Sequence, residues 1–237
     1  AGPAGAVPSF QTAALNTPGT QRTLILPQAA DNSPVISLGT AVDPASGEAV
    51  EGYAIIHYKK APTHKPQHGN GGGGTGGTTC FKFLAEGAKW KVVEPWIVNP
   101  SNIDGLDGNF VFTNLAGDIA KWEDATDGVV GNSSGVDILG NGSLSSDILV
   151  ADTSSPDGQN EVYFADVSTQ GAIAVTIVWG VFGGPPFARK LVEWDQIYDD
   201  VDFNWSGGGE AGKMDFENIA THELGHSVGM GDLYEST

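Results

Sequence analysis

Apolar residues recur at two periods along the chain, and the change of period marks its elements. Runs with β-branched or alternating apolar residues predict strands at 23–26 (TLIL), 35–38 (VISL), 53–58 (YAIIHY), 96–98 (WIV), 160–164 (NEVYF), 172–179 (AIAVTIVW), 192–198 (VEWDQIY) and 201–205 (VDFNW). Val136–Leu139 and Asp147–Asp152 are further short apolar runs. Spacings of three and four take over at Phe112, Leu115, Ile119 and Trp122, which predicts a helix over 110–126. The same period returns at Phe216, Ile219, Ala220, Leu224 and Val228, and predicts a second helix near the end. Asp215 stands where it can cap that helix, and Glu217 suits the positive end of its dipole. Asp43-Pro44-Ala45-Ser46-Gly47 is a turn signal between the second and third strands.

The second helix carries the chemistry. Residues 222–232 read HELGHSVGMGD, the pattern H-E-x-x-H-x-x-G-x-x-D. Two histidines four apart on a helix share a face, so His222 and His226 can reach one cation. Glu223 sits close enough to act on water beside that cation without binding the metal. Gly229 lets the chain leave the helix in a left-handed conformation, and the turn brings Asp232 back as a third ligand. Three protein ligands with one open position describe a catalytic zinc site.

This segment resembles the metzincin metallopeptidases, and among them the matrixin-like group. Aspartate as third ligand is similar to the snapalysin-type branch. The resemblance implies that His222, His226 and Asp232 bind zinc and that Glu223 is the general base. It implies an α+β fold: a twisted, mixed, five-stranded sheet with two long helices, here preceded by a small β-rich region. Its opening strand would lie near Trp96–Val98 and its first long helix at Phe110–Thr126. Two segments are expected: 1–79, an arm with a β-rich prosegment-like region and a Gly-rich linker, and 80–237, the peptidase domain. Metzincins continue to a methionine-bearing turn beneath the metal. The sequence runs to Thr237, and Met230 lies between the ligands, so that turn and the C-terminal subdomain are expected to be absent from this polypeptide.

Charge narrows the partners. Eleven Lys/Arg against 29 Asp/Glu give a formal charge of −18, which argues against nucleic acid or an anionic membrane. No apolar run is long enough to span a bilayer. The balance fits a secreted protein, with calcium a candidate second cation through oxygen ligands. Residues 1–91 carry seven Lys/Arg and five Asp/Glu; the remaining residues carry four and 24, so two oppositely charged halves are expected. Cys80 is the single cysteine, and no intrachain disulfide can form.

Several readings stay open at this level. Residues 1–20 are a flexible leader or an arm that adds to a neighbour's sheet. Residues 61–79 are a Pro/His/Gly-rich linker, in which His64 and His68 flank Pro66 and so favour a loop over a second metal site. Cys80 is a small buried hydrophobe or a thiolate switch on the metal, although TTCFKF does not match the matrixin switch motif. Strand 172–179 either forms the sheet edge that pairs with an extended peptide substrate, as the resemblance implies, or is an interior strand, as its continuous apolarity suggests. Asp152 and Asp157, and Asp195, Asp199, Asp200 and Asp202, are solvated surface acids or calcium ligands. The expected activity is endopeptidase hydrolysis; the competing expectation is an extracellular, self-assembling subunit, a homo-oligomer or filament that keeps the fold with little turnover.

Overall fold

A computed structural model describes residues 22–27, 33–59 and 81–232. The strands are β1 (Thr23–Leu24), β2 (Val35–Val42), β3 (Ala49–Tyr58), β4 (Lys82–Phe83) and β5 (Trp96–Asn99). Helix α1 (Gly108–Asp124) follows, then β6 (Gly142–Leu144), β7 (Asn160–Val167), β8 (Ala172–Val181), β9 (Lys190–Asp199), β10 (Trp205–Ser206) and β11 (Met214–Asp215). Helix α2 (Phe216–Ser227) and β12 (Met230–Gly231) complete the described chain. The fold is α+β: one mixed eight-stranded sheet and two helices.

The sheet runs β2-β3-β8-β9-β7-β5-β6, with β1 added to β7. Strands β6, β5, β7 and β9 are mutually parallel, while β8 is antiparallel to β9 and β3 antiparallel to β8. Strands β2 and β3 of the N-terminal region therefore continue the sheet. Ala54, Ile55 and Ile56 of β3 are at most 2% exposed, so this strand is integral to the core.

Alternation along the strands creates two cores, one on each face. The helices cover the face that carries Ile55, Ala174, Val178, Trp194 and Tyr198. The opposite face carries Ala54, Ile56, Val175, Ile177 and Ile197, and is covered by Leu24 and Leu26 together with Leu149 and Ala151. Residues 147–152 and 136–139 are not strands but loop segments that bury single side chains, Leu149 and Leu139 among them. In α1 the buried positions are Val111, Leu115, Asp118 and Ile119, while Phe112 is half-buried against Trp96. Asp107 caps α1 by accepting from the Phe110 amide at 2.9 Å.

Candidate metal centre

Helix α2 starts where the sequence says it should. Asp215 accepts from the Asn218 amide at 3.2 Å, and Glu217 occupies the first turn. Phe216 anchors this end, fully buried among Phe164, Tyr198 and Trp205. Helix α1 fixes the middle: the Trp122 indole donates to the Thr221 carbonyl at 2.8 Å. A Cβ at Gly225 would lie 2.9 Å from that indole, so the small residue inside the motif lets the two helices approach.

The helix ends as Gly229 takes φ 101°, and the chain doubles back. The Gly229 carbonyl accepts from the Leu84 amide at 2.9 Å, and β12 pairs antiparallel with β4. These contacts hold the turn that returns Asp232 to the helix. Asp232 Oδ1 lies 3.3 Å from His222 Nε2 and 3.6 Å from His226 Nε2. Ligands about 2.0–2.1 Å from a tetrahedral zinc stand about 3.3–3.4 Å apart, so the spacing fits that ion. The His226 Nδ1 donates to the Met230 carbonyl at 2.9 Å, which turns the Nε2 lone pair into a site that could hold a cation. His222, with its side chain 41% exposed, forms the solvent side of the centre.

Glu223 is enclosed instead. Its side chain is 1% exposed, its Oε2 accepts from Thr176 Oγ1 at 2.6 Å, and its Oε1 accepts from His57 Nδ1 at 2.9 Å. Burial pushes the Glu223 carboxyl upward, but the His57 hydrogen bond and the charges of His226, His222 and His57 outweigh it, and the net shift is downward. Burial alone would lower the His222 pKa; the Asp232 hydrogen bond and the Glu223 and Asp232 charges raise it overall.

His57 is the residue that sequence reasoning missed. It lies on β3 opposite Ala174 of β8, with its ring centroid 4.5 Å from that of His222. The signal was there in part: His57 is two positions from Ile55 and so shares its face of the strand, the face that the helices cover.

Of the two readings of 172–179, the interior strand is the one the structure shows. Strand β8 lies between β3 and β9, and Glu51–Tyr58 already pairs with its residues 172–180. Asp199 and Asp200 are buried rather than solvated, whereas Asp202 is exposed. Asp199 accepts from the Val201, Asp202 and Val167 amides, and Asp200 from that of Ile103. Residues 1–20, the linker with His64 and His68, and Cys80 lie outside the described residues. None of the described helices is long and apolar enough to cross a membrane. No protein-family model matches the chain, and no curated protein matches it.

Proposed function

We propose that this chain is a zinc-dependent endopeptidase of the metzincin type. The observation that carries the reading is the convergence of His222 Nε2, His226 Nε2 and Asp232 Oδ1 at zinc-ligand spacing, with Glu223 beside them. The run β6-β5-β7-β9-β8, four parallel strands and one antiparallel strand backed by two helices, supports it.

His222, His226 and Asp232 would hold the ion. Zinc bound there supplies Lewis acidity toward a carbonyl oxygen and toward water. Glu223, with its pKa lowered, is a carboxylate at neutral pH and is the group to take a proton from water and return it to the leaving amine. Thr176 and His57 fix its two oxygens, so its orientation is set before substrate arrives. Substrate reaches the centre from the His222 side rather than by adding a strand to β8. The test is hydrolysis of a denatured protein substrate by zinc-loaded wild type and by Glu223→Ala. The variant is expected to keep stoichiometric zinc and lose turnover; a Glu223→Ala protein that digests the substrate at the wild-type rate ends the assignment.

A second reading, an extracellular assembly subunit with little turnover, is favoured by one specific arrangement. The β8 edge is filled by β3, and β2 ends the sheet among the described strands, an edge that can accept a strand from another copy. Sedimentation of purified protein separates the two: a monomer that cleaves substrate supports the first, a polymer without turnover the second.

A further inference from the structure

We infer that the sheet face opposite the helices holds a calcium site built by Asp152, Glu193 and Asp195. One carboxylate oxygen from each of these residues lies within 4.8 Å of the others. Oxygens that share a calcium ion at about 2.4 Å are at most about 4.8 Å apart, so all three fit one coordination shell. Glu193 and Asp195 are two apart on β9 and therefore share a face; Asp152 comes from the loop that leads into β7.

Burial is what turns this cluster of acids into a site. Glu193 and Asp195 are each 1% exposed. Glu193 Oε1 and Asp152 Oδ2 are buried without any hydrogen-bond donor, while Glu193 Oε2 and both Asp195 oxygens are held in place by backbone amides. The Gly158 amide donates to Glu193 Oε2, and Asp195 accepts from the Asp152 amide at 2.8 Å and the Glu161 amide at 3.1 Å. The Glu193 and Asp152 carboxyls also meet each other, each with one buried oxygen that has no hydrogen-bond donor. Among the described residues no lysine or arginine forms an ion pair with Asp152, Glu193 or Asp195. Arg22 stacks on the Tyr163 ring at 5.2 Å, and its charge acts on Glu161, a fourth acid nearby. An uncompensated group of this kind costs far more than a paired one. Either protons or a cation must occupy it, and an all-oxygen donor set selects a hard cation over zinc. The loop return at 150–158, which carries Asp152 and the Gly158 amide, is then tied to β9 by the ion.

Terbium, a luminescent stand-in for calcium, gives a direct probe, because the Trp179 indole donates to the Asp152 carbonyl at 2.8 Å and lies beside the site. Excitation of tryptophan is expected to sensitise terbium emission that calcium displaces. Calcium at a hundredfold excess over Kd is expected to raise the melting temperature by about 5–10 °C. Both responses should survive in His226→Ala, which breaks the zinc centre, and weaken at least about tenfold in Asp152→Asn and Glu193→Gln. These variants replace buried acids by neutral amides of the same shape, so without metal they should melt at or above wild type, which separates lost binding from lost folding. Absence of both responses in wild type means that shared protons hold the cluster, and overturns the site. Responses that persist unchanged in the two variants, or vanish in His226→Ala, place the ion elsewhere and overturn it equally.

Discussion

The two faces of the sheet hold their charged groups in opposite ways. On the helix face, His222, Glu223 and His226 sit within five consecutive residues of one helix, and Asp232 follows one turn later. On the other face, Asp152, Glu193 and Asp195 come from a loop and a strand and form no contiguous motif. Strand β9 serves both: Trp194 and Tyr198 pack beneath the helices, and the Gln196 amide donates to Ser227 Oγ of α2 at 3.0 Å, while Glu193 and Asp195 turn the other way. A helix concentrates a site in sequence because its neighbours are three and four residues apart. A strand face disperses one, because every second residue belongs to the other side.

The contrast can be broken from either face. The largest expected effect is that of Glu223→Gln on the helix face: kcat should fall by about 10²–10⁴-fold or more, with zinc content and the calcium response unchanged. Steady-state kinetics with metal analysis checks this, and a parallel loss of the calcium response would show that the two faces are one unit. Next is Gly225→Val, which pushes a branched side chain against Trp122. It should cost about 1–3 kcal/mol, read as a lower denaturant midpoint at unchanged m. A cost in the same range, about 1–3 kcal/mol, is expected for His57→Phe, which takes one donor from a buried carboxylate. Its distinguishing readout is kcat: loss of Glu223 orientation should lower kcat with little change in KM, whereas a purely structural His57 would change stability alone.

The finest effect is one of sign. Without a divalent cation, burial first, then the Asp195 charge and the contact with Asp152, push the Glu193 carboxyl up to about 10, from an ordinary value near 4.5. A proton bound more tightly in the folded state stabilises it at low pH, and that contribution is lost as pH rises from about 4.5 through about 10. Burial raises the carboxyls of Asp152, Glu161 and Asp195 as well, with Arg22 opposing at Glu161. Metal-free protein should therefore melt lower at pH 9 than at pH 6, and calcium should flatten the slope. A melting temperature that rises with pH over this range would contradict the account.

Legibility followed the same division. Both helices, the Asp215 cap, the left-handed Gly229 and the spacing of His222, His226 and Asp232 were readable because each depends on residues within a few positions. His57 was not, because its role depends on β3 pairing beside β8, a contact 166 residues from Glu223 in sequence. The apolar run 172–179 left edge and interior undecided, since only the partner strand decides between them. Residues 147–152 stand out in the sequence only as a short apolar run, and serve as a loop whose Leu149 and Ala151 close the second core. The acids of β9 were visible as residues, but their burial was not.

Cobalt substitution with metal analysis tests the central claim most directly. Wild-type protein should bind one zinc or cobalt per chain at the helix face, and the cobalt form should show the visible absorption of a four-coordinate ion. His226→Ala and Asp232→Ala should lose that absorption. A folded wild-type protein that binds neither metal, or binds it equally well without His226 and Asp232, would contradict the account.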